Sequence, residues 1–549
     1  MTRYLLLFAC MLALAPGPVD AEPLAESPIQ QKAFLWNHNQ GMPPNPEAAL
    51  AAAGLALENR TPRTVATGDQ GPATPLALAD LVSLVVADNQ QIKGHEAQWG
   101  IQKTGVDKAA AIFEPEFVTS LSLADRSQKN TVEEAASRQF ESIYAERNWD
   151  YNASVGGLLP TGGKINLGYT YRRLSNTLTR TLTDEDREHQ MFLGLSLTQP
   201  LLKNAGIDAT KAGIRVAETE SEVAFQEYRQ GMMRTVGEAA ATYWTFFQAQ
   251  EKLRMRQDSL NIAEQLLNDS LERYRTGKMS ETDVLEARIG VASRRALQIE
   301  ARQEHHEAMN RLRTLIALAA GQDTPRLEAT ERPHLSQAAP DRQTLMRRAF
   351  KLRPEYLATQ KRIDRAGIKI AYAKNQLWPE LDLKASYGLN GLDFSSGDSW
   401  DQIEGQDFDD WSVGLELRVP LQGNRDGKAD LQKAKLEQTR ALLMLKSIEV
   451  ELTNNIDTAM HNIRNASEQL GYAVSVVEIH QQLLDAEQAR LGAGRSNSRL
   501  VLEKEENFQK AQEAALKNLV SLQKAMLDLE IEAGSILASN GAEIMEVEL

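Results

Sequence analysis

Cysteine is almost missing: the single thiol of the 549-residue chain is Cys10. If that residue leaves with a secretory leader, the mature chain has no thiol, and disulfides and cysteine metal sites are excluded. Long apolar runs are missing as well. Nothing after the N-terminal segment approaches ~18 consecutive apolar residues, so no helix reads as membrane-crossing. A positive excess is absent too: 61 Lys and Arg face 75 Asp and Glu, a formal charge of −14. That balance argues against nucleic acid as a partner. Catalytic patterns are wanting. Gly277-Lys278-Met279 lacks the upstream glycine and the following Ser or Thr of a phosphate loop. Gly492-Ala493-Gly494 opens no strand–helix nucleotide unit. His305-His306 is an isolated pair on a charged helix and reads as solvated, not metal-bound. No enzyme activity, cofactor or metal is expected.

What is there begins with a leader. Met1-Thr2-Arg3, an apolar run over 4–15 and the small-x-small ending at Ala21 predict a signal peptide over 1–21. Leu7-Phe8-Ala9-Cys10 faintly resembles a lipoprotein box, but the apolar run before it is short and Phe8 is bulky. Residues 22–75 carry eight of the 19 prolines and read as an N-terminal arm. A secreted chain without an apolar helix is either soluble or enters a membrane as a β-barrel.

The chain then says the same thing twice. An alternating strand ends at Gln199-Pro200-Leu201. A proline-free run of about seventy residues follows, which as α-helix would reach on the order of 100 Å. It turns at Tyr274-Arg275-Thr276-Gly277 and comes back from Ser280. Later, Val419-Pro420-Leu421 ends a strand, a second long run follows, and Leu491-Gly492-Ala493-Gly494 makes the turn. Before each strand set comes a shorter helix, over 76–113 and 345–377, stopped by Pro115 and by Trp378-Pro379. The predicted organisation is a first helix–strand–strand–helix repeat over 76–320, a linker over 321–342, a second repeat over 343–538 and a tail over 539–549.

The strands alternate cleanly. Val413, Leu415, Leu417 and Val419 oppose Ser412, Gly414, Glu416 and Arg418. Leu381, Leu383, Ala385, Tyr387 and Leu389 oppose Asp382, Lys384, Ser386 and Gly388. Met191, Leu193, Leu195 and Leu197 oppose Phe192, Gly194, Ser196 and Thr198. Phe117, Thr119, Leu121 and Leu123 oppose Val118, Ser120 and Ser122. An extra hairpin at about 148–173 turns at Leu159–Lys164. Period two gives one wet side and one apolar side, and segments of about nine to eleven such residues are the transmembrane barrel signature. Residues 125–147, 174–189 and 390–410 read as exposed connections. In the long helices Leu253, Leu260, Leu267 and Tyr274 step by seven, as do Val501, Phe508, Ala515, Leu522 and Leu529. Sustained heptads mean helices packed side by side.

These pieces, with Arg353-Pro354-Glu355 leading to Leu377-Trp378-Pro379 and the tip Arg273-Tyr274-Arg275-Thr276-Gly277 before Ser280, Asp283, Val284, Leu285 and Ala287, resemble the TolC-like outer-membrane efflux and secretion proteins. The likeness covers roughly 76–535. It implies an α+β membrane protein with a long α-helical coiled-coil barrel forming a periplasmic tunnel and an antiparallel transmembrane β-barrel shared by a homotrimer. It implies a passive exit duct in the outer membrane that meets a periplasmic adaptor and an inner-membrane transporter. By the same likeness Asp283, Glu286 and Glu503 ring a periplasmic iris, with Leu500 standing where an acid is expected. Arg273, Gly277, Ser280, Leu285, Gly494 and Leu502 are the expected adaptor contacts, and Pro115, Pro200, Pro379 and Pro420 the strand-to-helix junctions. The extra hairpin departs from the family's two strands per copy; counted in, it makes six strands per chain and about eighteen in a trimer. The alternative is a secreted coiled-coil scaffold with a soluble β-domain; a diffusion porin would not need the long helices.

Overall fold

The computed structural model describes residues 73–137, 141–177, 179, 186–318, 326–333 and 341–542. The expected leader, Cys10, nearly all of the proline-rich arm and tail residues 543–549 lie outside the described residues. In chain order the main elements are β1 (Ala73–Leu76), α1 (Leu78–Asp88), α2 (Gln90–Ala110), β2 (Glu116–Lys129), β3 (Ile143–Leu158), β4 (Lys164–Leu174), β5 (Glu188–Pro200), α3 (Ala212–Arg275), α4 (Glu281–Leu315), β6 (Arg326–Ala329), α5 (Arg342–Leu352), α6 (Pro354–Asn375), β7 (Glu380–Asp393), α7 (Ser396–Gly405), β8 (Asp409–Arg418), α8 (Arg425–Gly492) and α9 (Ser498–Glu532), with short helical turns at Val132–Ser137, Ile207–Thr210 and Ile536–Ser539. The two long helices, α3 with 64 residues and α8 with 68, reach about 100 Å each. None of the described helices is long and apolar enough to cross a membrane.

The main sheet has six strands, all antiparallel, in the order β2-β3-β4-β5-β7-β8. The hairpin β3–β4 is inserted into this sheet, between β2 and β5. The stretches read as loops are shorter than expected. β2 and β3 stay paired up to Lys129↔Ile143, and the 390–410 connection holds α7. Apolar alternation ends before backbone pairing does: past Leu123, polar residues such as Asp125 and Arg147, joined at 2.8 Å, carry the ladder onward.

Each expected short helix is two helices with a break. Asn89 and Arg353 stand at the breaks with extended backbone. At the second, Pro354 takes the first helical position, where its missing N–H costs nothing. The two breaks make matching contacts. Asn89 Nδ2 donates to the Leu315 carbonyl at the end of α4 (2.8 Å). Arg353 Nη1 donates to the Ile531 carbonyl near the end of α9 (2.8 Å). Short and returning helices are thus joined end to end beside the long ones.

The stretch expected as a linker contains β6, which pairs in parallel with β1, Ala73↔Arg326 through Leu76↔Ala329. Helix α3 clamps this small sheet. The Tyr243 hydroxyl donates to the Leu76 carbonyl (3.0 Å) and accepts from Glu331 N–H. Gln250 exchanges two bonds with Ala329 (2.9 and 3.1 Å). Burial pushes the Tyr243 phenol up to about 12, so it stays a donor. The apolar core runs from here along α3, with Met232, Val236, Ala240 and Phe246 facing Leu312, Leu516 and Leu519.

Candidate functional site

Two surfaces and one seam carry the chemistry. The first surface is the sheet. On β8 the side chains of Trp411, Val413, Leu415 and Leu417 are 62–68% exposed, and their partners across the ladder, Tyr387, Ala385, Leu383 and Leu381, share that face. The opposite face is a hydrogen-bonded polar mesh. Lys384 pairs with Glu416, Arg418 donates to Glu380 (3.1 Å) and Glu416 (2.9 Å), Ser386 meets Ser412 (2.8 Å), and Thr170 donates to Asn152 (2.9 Å). A sheet greasy on one side and wet on the other has the face pattern of strands that stand between lipid and water. An aromatic ring also lies on the wet side. The ring of Phe192 lies flat over Gly194 and Gly388, and a methyl on either glycine would overlap it.

The four prolines stand where strand becomes helix. Pro115 precedes β2 and Pro379 precedes β7; Pro200 closes β5 and Pro420 follows β8. After Pro200 and Pro420 the chain turns on Asn204 and Asn424, both left-handed (φ 63° and 49°). Asn204 N–H donates to Asn375 Oδ1 (2.7 Å), and Asn424 Nδ2 donates to the Gln376 carbonyl (2.9 Å). Both long helices, and the short helices that lead into β2 and β7, meet the sheet at this one end.

The second surface is the pair of helix tips. Gly277 and Gly494 have φ of 74° and 71°. Around each, the same two hydrogen bonds close the helix: Gly277 N–H to Tyr274 O with Lys278 N–H to Arg273 O, and Gly494 N–H to Leu491 O with Arg495 N–H to Arg490 O. This is the left-handed glycine cap that satisfies the last carbonyls. Ser280 and Asp283 then form a capping box at the start of α4, with the Ser280 hydroxyl donating to Asp283 Oδ2 at 2.7 Å. The tips sit side by side, because Ser270 and Ser498 meet at 3.2 Å inside the bundle.

The expected tip residues divide. Arg273, Gly277, Ser280, Leu285 and Gly494 are exposed. Leu502 is not: it is buried, and its Cδ1 fills the space a side chain at Gly290 would need. It therefore packs the tip and is a correction to its reading as a partner contact. Asp283 and Glu286 are half-buried on α4; Glu503 is exposed on α9 and pairs with Lys504 (3.2 Å). His305 is a second correction. It is 9% exposed and its ring lies 5.2 Å from that of Phe246, because it occupies a core position of α4.

The seam was not anticipated. Arg294 on α4 and Glu505 on α9 form an ion pair whose side chains are 6% and 3% exposed. Ser259 on α3 donates to Glu505 Oε1 (2.6 Å) and accepts from Arg294 Nε (3.2 Å). Arg294 also donates to the Leu502 carbonyl (2.9 Å). Further along, Arg256 donates to Glu513 (2.8 Å) and Lys252 to Glu304 (2.7 Å). Burial pushes the Glu513 carboxyl up, against the pull of Arg256 and Lys252. The signal existed. Arg294, Gln298 and His305 stand at three-four spacing among Val284, Ala287, Ala301, Ala308 and Leu312, so polar groups occupy the seam of a heptad.

Compared with known proteins, the outer membrane efflux protein family model matches residues 147–318 and 345–534. The chain belongs to that family. It is a TolC-like protein of the outer membrane, with its helical part in the periplasm, and its role is transport. Among relatives of this efflux protein, the alkaline protease secretion protein AprF of Pseudomonas aeruginosa is 22% identical over 365 residues, 66% of this chain and 72% of its own. The outer membrane protein TolC of Vibrio cholerae is 24% identical over 295 residues, 52% and 61% of the two chains. The crystal structure of the Campylobacter jejuni CmeC outer membrane channel superposes with a TM-score of 0.59 at 15% identity, over 83% of this chain and 85% of that one. That likeness shows the fold.

Proposed function

We propose that this efflux protein forms, as a homotrimer, the passive exit duct of a tripartite efflux pump or type I secretion system. The observation that carries this reading is the pairing of an apolar-faced, polar-backed sheet with two long helices that both depart from one of its ends. A closed wall in lipid and a shaft in the periplasm follow from that polarity. The two helix–strand–strand–helix halves act as internal repeats, which lets three chains build a shaft of near six-fold regularity.

Two open flanks support trimerisation. On α8, Tyr472, Val476, Ile479 and Leu483 make an exposed apolar stripe; on α4, Ile289 and Ile299 make another. The first steps by four and three and the pair on α4 by ten, a heptad plus three, the spacings of helices that pack side by side. A neighbouring copy offers each stripe the other.

The tips, with Arg273, Gly277, Ser280, Leu285 and Gly494 outermost, meet a periplasmic adaptor that links to an inner-membrane transporter holding the energy source. Asp283, Glu286 and Glu503 line the periplasmic aperture. Three tests converge. The detergent-extracted protein runs as a heat-modifiable trimer, conducts ions in planar bilayers, and cross-links from a photoreactive group at Leu285 to an adaptor. A detergent-free, compact monomer would sink the reading.

A further inference from the structure

The six-stranded sheet leaves two edges, β2 and β8. In lipid, an open edge strands a row of N–H and C=O groups with nothing to bond. Because β2 and β8 are the first and last of six antiparallel strands, the β2 of a second copy can join β8 as an antiparallel neighbour. We propose that three copies close one eighteen-stranded barrel in this way, in the register that sets Arg418 of each copy opposite Glu116 of the next. The proposal rests on the homotrimeric reading above and fixes what that reading leaves open: the strand count at the wall and the residues that meet.

Three constraints choose the register. The first is parity. Phe117, Thr119, Leu121 and Leu123 must share the lipid face with Trp411, Val413, Leu415 and Leu417, which permits only even steps. The second is charge and backbone. Arg418 opposite Glu116 joins opposite charges, and the same register places Asp410 diagonal to Arg126, within side-chain reach. Sliding β2 by two residues toward the helices would set Glu116 opposite Pro420, which has no N–H to give.

The third constraint is geometry. Crossing the chain's own sheet from Glu116, the ladder runs through Gly156, Asn166, Ser196 and Ser386 to Ser412. If the next Glu116 lies opposite Arg418, the stagger is one residue per strand. With ~3.3 Å per residue and ~4.8 Å between strands, the strands tilt by about 35°. Transmembrane barrels tilt by about 35–45°. The slide by two residues in the other direction gives about 25°, outside that range.

The side chains give an independent check. At the tilt of the proposed register, Tyr151, Tyr169, Tyr387 and Trp411, all on the lipid face, fall within about one residue of a single height. Without stagger, the ladder sets Trp411 level with Phe117, at the opposite end of β2. An aromatic girdle at one depth is what the membrane interface selects. The barrel so closed measures about 34 Å across between backbones, about half again as wide as one of twelve strands.

Cysteine pairs test the register in a Cys10→Ser background. Ser120→Cys with Gly414→Cys lie opposite on the wet face, and no atom lies within 4 Å of where a Gly414 side chain would start. Thr119→Cys with Leu415→Cys lie opposite on the lipid face. One of these two pairs is the closer, non-hydrogen-bonded kind. Oxidation of the detergent-solubilised protein should convert most of one double variant to a covalent trimer on a denaturing gel. Val118→Cys with Ser412→Cys, four residues out of step, should give under a tenth of that yield. Native mass spectrometry of each sample reports the assembly separately. A native trimer that links only through the out-of-step pair, or through none, overturns the register and leaves the duct standing. Absence of a trimer overturns the duct reading and the register with it.

Discussion

Arg294 and Glu505 face each other across the interface of two returning helices, sealed from water on every side, with Ser259 of a third helix bridging them. A withdrawn pair of this kind adds little net stability compared with apolar residues of the same size, but losing one partner leaves the other charge stranded. Glu505→Gln should therefore cost about 3–5 kcal/mol of the stability of the helical shaft. The double change Arg294→Met with Glu505→Leu should recover most of it. Thermal melting followed by circular dichroism in detergent decides: equal melting of the single and double variants would show that the pair is not isolated from water as described.

His305 gives a pH dependence. Burial holds its imidazole down at about 4, with Arg326 and His306 adding to the effect. In the unfolded chain the same ring takes up its proton near 6.5. Between these values the unfolded state binds more protons, so stability falls as pH drops from about 6.5 to about 4 and is flat above. The loss is up to about 3 kcal/mol per chain. His305→Gln should flatten this part of the melting-temperature profile. An unchanged slope in that variant would assign the acid sensitivity to other groups.

The acidic tip residues separate by their bonds. Asp283 closes a capping box with Ser280, so Asp283→Ala removes a helix cap worth about 1 kcal/mol along with a charge. Asp283→Asn keeps an acceptor and removes only the charge. Glu286→Gln and Asp283→Asn should each raise single-channel conductance and weaken cation preference, with melting unchanged. Conductance equal to the parent in both would remove these residues from the aperture.

Gly277 and Gly494 hold left-handed backbone with open space around them. Alanine at either fits sterically but strains the turn by about 1 kcal/mol. Amide exchange in the adjoining tip should quicken roughly fivefold, since that energy is a factor of about five at room temperature. Global melting should stay put. Equal exchange rates would mean the turn relaxes out of the left-handed region.

Periodicity made much of this molecule legible. Two-residue alternation located all six strands of the main sheet, and seven-residue steps found the packed faces of α3 and α9, where Leu253, Leu260, Val501, Ala515 and Leu522 are buried. Proline and glycine marked the junctions and tips. What periodicity hid has a physical cause in each case. β6 is four residues long and its pairing with β1 is parallel and distant, so nothing local announces it. The breaks at Asn89 and Arg353 fall inside continuous helical patterns, because a cap changes the backbone without changing the apolar stripe. Arg294 and His305 are hidden because a charged or polar residue in a helical pattern reads as exposed. Their spacing from Ala287, Ala301 and Leu312 already placed them inward.

The strand Ala73–Leu76 finds its partner only at Arg326–Ala329. A polypeptide delivered amino end first thus presents that strand to its surroundings while some 250 residues of its own sequence are still to arrive. The small parallel sheet therefore closes only after the first half of the chain is out, and the early segment waits unpaired until then. A stall or truncation before position 326 leaves the middle of the long helix α3 without its buckle, even when every sheet strand of the first half is complete.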